Sequence, residues 1–319
     1  MHQFRNKTGS DRGFFPYLAI VATGTARRPP LKSAVPAIAF MLMPKAFMLP
    51  LALVAAAAVV HPLRAEDAPT LPLWEVGIGT TARVAPDYPG ASDYSPGGAV
   101  FPFVTYRGRL FEFGGDQTLR FVPFQLDRVE IGVTVDGSSA VDSRDNALRG
   151  ALPDLDALAE FGPEVNLSLF ERAAVFGKGT GRYELSLQTR GVFSLGDRID
   201  TVGTLGRVAL RYRQNGALKP GARVTASIGP VFASEGVHDY FYATESYDAR
   251  GGYLGTEAEV SVRYPLNDRL RVVGGVGVTV LSGAANRASP LFDEEVNVSA
   301  HIGLRWSLFQ SQRRTTRDR

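Results

Sequence analysis

The sequence predicts an all-β fold, an antiparallel transmembrane β-barrel of about twelve strands of the kind that outer membranes contain. Three observations lead to this prediction. Apolar and polar residues alternate with period two from Leu71 nearly to the end of the chain. Several alternating segments are long enough to cross a bilayer. An export leader precedes them.

The alternation is clearest in residues 128–135, 257–264 and 301–308, where every second residue is apolar. Such a pattern gives each strand one apolar and one polar face. A strand that spans a bilayer needs about 9–11 residues, whereas strands of soluble sandwiches have a most common length near 5–6. We therefore expect the apolar face to meet lipid and the polar face, with Arg211, Glu257 and Arg305, to line the lumen.

Twelve segments fit this pattern. The predicted strands cover residues 74–84, 99–107, 109–114, 117–124, 128–136, 159–170, 182–193, 202–213, 222–234, 254–265, 269–281 and 295–309. Only residues 152–160 have a composition that would admit a helical turn or two. The fold should therefore contain almost no helix.

The connections between these strands support the strand count. Four of the odd-numbered connections are long, at 84–99, 136–159, 234–254 and 281–295, whereas most even-numbered ones are tight turns with Asn215-Gly216 and Asn267-Asp268 as turn residues. Outer-membrane barrels place long loops outside the cell and short turns in the periplasm. We therefore expect the odd-numbered connections to face outward or to fold into the barrel mouth.

The first 65 residues are interpreted as export signals rather than as part of the fold. Residues 46–60 are apolar except for Pro50, follow Lys45, and lead to Ala65 before an acidic start. This is the pattern of a signal peptide cleaved after Ala65; an uncleaved anchor helix is the alternative. Met41 and Met43 are candidate starts, so the predicted division is 1–40 as an upstream extension, 41–65 as signal peptide, 66–309 as barrel and 310–319 as a basic tail.

Charge and composition exclude several classes of function. The net charge is +3, but eight of 35 basic residues and one of 32 acidic residues precede residue 66, which leaves 27 basic against 31 acidic. Without a cluster of basic residues on one element, we expect no nucleic-acid partner. The chain has no cysteine, so thiolate metal sites and cysteine nucleophiles are impossible.

Candidate catalytic and metal-binding residues are few. After the leader the only histidines are His238 and His301. Asp154, Asp156 and Glu160 could pair as acid and base or bind calcium, but Pro153 favours a capped turn instead. We expect no catalytic residue, no metal and no cofactor.

The segments of the exported part resemble, in order and spacing, those of the MipA/OmpV family of outer-membrane proteins. The resemblance covers about residues 73–309 and is carried by short segments at 74–79, 86–90, 93–94, 102–108, 141–143, 146–147, 152–155, 160–163 and 289–293.

The resemblance implies a non-enzymatic barrel of the cell outer membrane, in contact with lipid. Family members are described as scaffolds that join a murein-degrading transglycosylase to a murein synthase, and others as adhesins or porin-like proteins related to antibiotics. The expected function is therefore a scaffold for murein-processing enzymes. A narrow channel, a barrel that binds small solutes or antibiotics, and a surface adhesin are the alternatives.

The residues most suited to binding lie in the predicted long loops, where aromatic and acidic side chains gather. The loop 234–254 holds four tyrosines and one phenylalanine, which either pack over the barrel mouth or contact sugar or protein; packing is the favoured interpretation. The candidate binding residues are Asp87, Tyr88, Asp142, Asp154, Tyr240, Tyr242 and Asp293.

Overall fold

The structure, a computed structural model, describes residues 71–107, 111–113, 118–121, 128–177 and 179–315. The predicted extension at 1–40, the signal peptide at 41–65 with its cleavage after Ala65, and the end of the basic tail lie outside the described residues.

Twelve strands within the described ranges form one closed antiparallel barrel, which confirms the predicted fold class. The strands are β2 (Trp74–Pro86), β3 (Tyr94–Arg107), β4 (Phe111–Phe113), β5 (Thr118–Phe121), β6 (Val129–Ser138), β7 (Leu158–Ala173), β8 (Thr180–Leu195), β9 (Ile199–Asn215), β10 (Arg223–Ala233), β11 (Gly252–Pro265), β12 (Leu270–Val280) and β13 (Val296–Gln310). Each pairs with its neighbours in the chain, and β13 pairs with β2 to close the barrel. The closing pair runs from Ala300 opposite Val84 to Gln310 opposite Glu75.

The barrel places its polar side chains inside and its apolar ones outside. On β9, Arg207 and Arg213 are buried, whereas Val208 and Leu210 are 42% and 45% exposed. On β13, Trp306 is 55% exposed although its neighbour Ser307 is fully buried. This is the reverse of a water-soluble protein, and it is stable only where the outer surface meets lipid.

The long connections meet at one end of the barrel. They cover residues 87–93, 139–157, 234–251 and 281–295, and the shorter 196–198 lies at the same end. The opposite end carries the tight turns 174–179, 216–222 and 266–269. The turn after β9 uses Gly216 at φ +73°, a left-handed conformation that glycine adopts without strain. The predicted alternation of connection lengths is thus present in the fold.

The helix of this end lies elsewhere than predicted. Residues 152–160 hold no helix, because Leu158 already begins β7. The long loop 234–251 contains α1 (Glu235–Tyr242), whose buried Val237 and Phe241 are four residues apart and so share one face. A 3-10 helix covers Ser143–Asp145. None of the described helices is long and apolar enough to cross a membrane.

A small two-stranded sheet lies outside the barrel. It joins β1 (Leu71–Pro72) to β14 (Arg314–Thr315), with Pro72 opposite Arg314. The amide of Leu73 donates to the carbonyl of Arg313 at 2.8 Å, and that of Ser311 donates to the carbonyl of Trp74 at 2.9 Å. Part of the predicted basic tail is therefore folded at the end of the tight turns.

Candidate functional site

The long connections pack on one another and form a structure that we call the cap, made of residues 87–93, 139–157, 234–251 and 281–295. Its centre is a small apolar core that also includes residues from the adjoining ends of several strands. The buried members from the connections are Tyr88, Ala91, Val141, Leu155, Val237, Phe241, Tyr242, Ala249 and Leu291. The four segments are far apart in the chain, so each loop depends on the others for its shape.

Two predicted binding residues, Tyr88 and Tyr242, hold the centre of the cap. Both are buried at 2% and 0% exposure. The hydroxyl of Tyr88 donates to the carbonyl of Leu291 at 2.8 Å, and that of Tyr242 donates to the carbonyl of Pro89 at 2.8 Å. Burial raises the pKa of Tyr88 to about 12 and that of Tyr242 further still. Neither phenol is free to contact a ligand in this arrangement.

Asp87 joins two loops. Its carboxylate accepts from the Ser95 hydroxyl at 2.6 Å and from the Asn146 amide at 2.8 Å. A second hydrogen bond joins the same two loops, since the amide of Ala147 donates to the carboxylate of Asp93 at 2.6 Å. Asp87 is thus part of the junction between connections 87–93 and 139–157.

Asp142 and Asp154 order the loop 139–157 from its surface. Asp142 accepts from the amide of Arg144 at 3.0 Å and so caps the 3-10 helix, and it also pairs with the exposed Arg144 guanidinium, which lowers the pKa of the carboxyl. Asp154 accepts from the amide of Ser143 at 2.8 Å. Asp154 thus holds a turn, as the neighbouring Pro153 indicated, and Asp142 caps the 3-10 helix.

The remaining two predicted residues lie at the rim of the cap. The hydroxyl of the half-buried Tyr240 donates to the carbonyl of Asp156 at 3.0 Å, and burial raises its pKa to about 12. Asp293 is exposed, and its backbone amide donates to the carbonyl of Gly90 at 2.9 Å. Gly90 has φ +88° and the ring of Phe292 lies close to it, so no side chain fits there.

Three residues that the sequence did not single out fix the cap more firmly. Arg149 donates to the carbonyl of Phe241 at 3.1 Å and lies over the Tyr88 ring, and burial lowers the pKa of its guanidinium. Asn286 donates to the carbonyl of Arg250 and accepts from the Arg250 amide. Asn297 exchanges the same pair of bonds with Ala91 and Gly90. Arg149 and Asn286 are polar residues of long loops, and Asn297 is the second residue of β13. Neither position distinguishes these residues from exposed polar ones.

His238 is part of the cap core rather than of a catalytic pair. It is fully buried, its ring stacks on Tyr242 with centroids 5.7 Å apart, and its Nε2 lies 3.3 Å from the carbonyl of Gly252. Its Nδ1 is buried and has no hydrogen-bond partner among the described residues. Burial lowers the pKa of the imidazole. The other histidine, His301, lies across the lumen-facing Gly275, with its ring filling the space above that glycine.

Below the cap, charged side chains line the barrel interior, and we call this surface the lumen wall. Its carboxylates pair with arginines on the adjacent strand or on the next strand but one, as for Glu75 with Arg107 and Arg271, and Glu164 with Arg211, each at 2.7 Å. Further pairs join Arg190 to Glu160 and Asp136, Arg207 to Glu257, and Arg213 to Glu184. The described pairs therefore run along the wall and do not cross the lumen.

Within the described residues the site offers no centre for a metal ion. No group of three or more His, Asp or Glu side chains there is placed to hold a metal. The seven predicted residues come together at one end of the barrel, as expected. Asp87, Tyr88, Tyr240 and Tyr242 hold segments of the cap together through side-chain hydrogen bonds. Asp142, Asp154 and Asp293 lie at the surface of the cap.

Comparisons with known proteins gave one family match and similarities to solved structures. Residues 78–308 match the family model of MltA-interacting protein MipA. No curated protein matches the chain. Among solved structures, the high-pH structure of Pseudomonas putida OprB is similar at 10% identity and a TM-score of 0.29, over 74% of this chain and 94% of that one. The P. putida toluene transporter TodX is similar at 10% identity and a TM-score of 0.28, over 77% and 91%.

Proposed function

The chain belongs to the MipA family, and from that premise we propose that it is a non-enzymatic outer-membrane barrel that organises protein partners of the cell envelope. The family match over residues 78–308 is the observation that carries the proposal. The description of that family names an interaction with MltA. For this chain we propose murein-processing enzymes, a transglycosylase and a murein synthase, as the partners in the periplasm.

The structure supports a binding role over catalysis. The phenols of Tyr88, Tyr240 and Tyr242 are bonded to backbone carbonyls and the His238 imidazole is packed in the cap core. A nucleophile or general base needs a side chain that is free to meet a substrate.

Affinity purification from crosslinked envelopes tests the scaffold directly. The mature protein should recover a murein transglycosylase and a murein synthase at levels well above those that an unrelated outer-membrane barrel recovers. Recovery equal to that of the unrelated barrel would rule out the scaffold. A variant with a loosened cap, Tyr242→Ala, should recover the same enzymes if they bind at the end of the tight turns.

A narrow channel is the second candidate, and one observation favours it. The ion pairs of the lumen wall follow the wall rather than crossing the lumen, so the cap is the main obstacle at that end. We propose that loosening the cap by Tyr242→Ala raises single-channel conductance in planar bilayers. If neither the unmodified barrel nor this variant conducts, the channel is excluded.

The adhesin alternative concerns the exposed cap surface. We propose that Asp142, Asp154 and Asp293 form the recognition surface of the cap, whereas Asp87, Tyr88, Tyr240 and Tyr242 support it. If the protein is an adhesin, cells that carry Asp142→Asn/Asp154→Asn/Asp293→Asn should adhere less than cells with the unmodified protein. If it acts only as a scaffold, adhesion of the two kinds of cell should be equal.

The scaffold role requires the tight turns to face the periplasm. Because the chain has no cysteine, single cysteines at Ser92, Ala147, Ala243 and Ala285 in the cap can be labelled on whole cells with a membrane-impermeant maleimide. We expect these sites to react and cysteines at Ala217 and Asn267 to stay unlabelled. The opposite pattern would invert the proposed topology.

Export by a signal peptide cleaved after Ala65 remains part of the proposal. The intact mass of the protein isolated from outer membranes should correspond to a chain that begins at Glu66. A mass that still includes residues 1–60 would contradict it.

A further inference from the structure

The two ends of the barrel carry opposite charge. The five connections that the structure describes at the cap end, 87–93, 139–157, 196–198, 234–251 and 281–295, contain fourteen acidic residues against five arginines. The acidic residues are Asp87, Asp93, Asp142, Asp145, Asp154, Asp156, Asp197, Glu235, Asp239, Glu245, Asp248, Asp293, Glu294 and Glu295, and the arginines are Arg144, Arg149, Arg198, Arg250 and Arg287.

The opposite end, which we call the base, is basic. Its described part comprises Arg128, the turns 174–177, 216–222 and 266–269, and the tail 311–315. These segments contain five basic residues, Arg128, Lys219, Arg269, Arg313 and Arg314, against the single acid Asp268. Arg128, Arg269, Arg313 and Arg314 are exposed. The cap-end connections sum to −9 and the described base to +4, a difference that the net charge of +3 for the whole chain does not reveal.

The position of β14 directs part of this charge toward the space below the lumen. Arg107 is 5% exposed, and its guanidinium donates to the fully buried Glu75 inside the barrel and to the carbonyl of Pro72 at 2.8 Å. Because a lumen-facing side chain holds Pro72, β1 lies at the mouth of the lumen rather than against lipid. Arg314 of its partner β14, and Arg313 just before it, therefore lie beneath the barrel.

We propose that the base binds a carboxylate-rich polymer directly, and that this polymer is murein, the anionic network that lies beneath an outer-membrane barrel. Guanidinium groups form strong paired hydrogen bonds with carboxylates such as those of murein stem peptides. The location at the lumen mouth favours a periplasmic partner over the phosphates of the surrounding lipids. The proposal takes from the proposed function only the placement of the tight turns in the periplasm, and it needs no protein partner.

Sedimentation of the purified, folded mature barrel with murein sacculi tests the proposal. The barrel should co-sediment at about 0.05 M NaCl and be released at about 0.5 M, because salt screens exposed charges. The variant Arg269→Gln/Arg313→Gln/Arg314→Gln should bind roughly a hundredfold more weakly, at about fivefold for each charge removed near an anionic surface. Sacculi whose carboxylates have been amidated should no longer retain the unmodified barrel.

A matched control removes three arginines from the other end. Arg144→Gln/Arg198→Gln/Arg287→Gln makes the same change in net charge at the cap and should bind sacculi as the unmodified barrel does. All proteins must first show the heat-dependent gel migration of a folded barrel. Equal binding by the base and cap variants would overturn the proposal.

Two further outcomes separate the proposal from its neighbours. Vesicles rich in phosphatidylglycerol that bind the barrel as tightly as sacculi do would assign the base to lipid and overturn the murein assignment. The barrel could bind sacculi through the base arginines and yet recover no murein enzyme from envelopes. That result would support direct murein binding and exclude the scaffold role. If single cysteines at Ala217 and Asn267 are labelled on whole cells, the base faces outward and the murein proposal is overturned.

Discussion

The cap and the lumen wall bury polar side chains in opposite ways. In the cap, side chains bond to backbone groups around an apolar core, as Tyr242 does with the carbonyl of Pro89 and Arg149 with that of Phe241. In the lumen wall, side chains bond to one another as ion pairs, as Glu75 does with Arg107 and Arg271.

This difference follows from the backbone at each place. Strand backbones have satisfied their hydrogen bonds within the sheet, so inward-facing side chains find their partners mainly among themselves. Loop backbones have unpaired groups, and an aromatic or amide side chain can satisfy them while it packs. The lumen wall should therefore lose stability when a charged side chain loses its ionic partner. The cap should lose stability when a side chain of its apolar core is truncated.

The largest effect should follow the loss of Glu75 from the lumen wall. In Glu75→Leu the guanidinium groups of Arg107 and Arg271 remain in the lumen wall without the carboxylate that they share. This change should lower the free energy of unfolding by about 3–5 kcal/mol. Denaturant unfolding of the barrel in lipid or detergent measures the change. Glu171→Leu is the matched control, since it removes the exposed pair with Arg182 and should cost about 0–1 kcal/mol. Equal costs would show that the buried wall is no more sensitive than the surface.

Truncation of the cap core should come next and should leave the barrel intact. Tyr242→Ala removes a buried ring and its bond to Pro89, at a cost of about 3 kcal/mol to the cap. Limited trypsin digestion should then cut after Arg250 or Arg149, while the heat-dependent migration of the barrel persists. Loss of that migration would mean that the cap and the wall fold as one unit.

Acid should weaken the cap to a smaller extent. Burial lowers the pKa of His238 below its ordinary 6.5, so unfolded loops take up a proton more readily than the folded cap does. Stability of the cap is therefore complete above pH 6.5 and falls as the pH drops below 6.5 toward the lowered value. The rate of trypsin cleavage after Arg250, measured from pH 7.5 to 5, should rise in the native protein and stay flat in His238→Phe. A rise of equal size in both proteins would assign the pH dependence to another group.

The smallest effect should come from the surface of the cap. Asp142→Asn keeps a side-chain oxygen that can cap the 3-10 helix and removes only the exposed pair with Arg144. Trypsin protection of the cap should match that of the unmodified protein. Increased cleavage in this variant would show that the cap depends on surface charge as well as on its core.

The barrel could be predicted from sequence because its rule is local. A residue in a membrane strand meets either lipid or lumen, so alternation in segments such as 128–135 and 301–308 determines its side without knowledge of its neighbours. The twelve predicted strands all have counterparts, and their ends differ by a few residues.

The cap resisted prediction because its contacts join distant parts of the chain. Asn297 bonds to Gly90 and Ala91, and Tyr88 bonds to Leu291, across about two hundred residues of sequence. The acidic and aromatic content of the loops indicated the right end of the barrel but not which residues are buried. The helix was misplaced for a related reason, since α1 is stabilised by packing on β9 through Val237 rather than by a strong helical pattern.

The pairing of β13 with β2 has a consequence for the order of assembly. Val84 finds its partner Ala300 more than two hundred residues later, so the first long strand keeps one edge unsatisfied until the last strand has emerged. Contacts so distant in sequence slow folding, and an open strand edge invites pairing with other chains. A newly exported chain would therefore need protection of that edge throughout its transit. Pairing of β13 with β2 would then close the barrel, and pairing of β1 with β14 would follow it. Only the closed barrel has no open strand edge and can insert into the membrane.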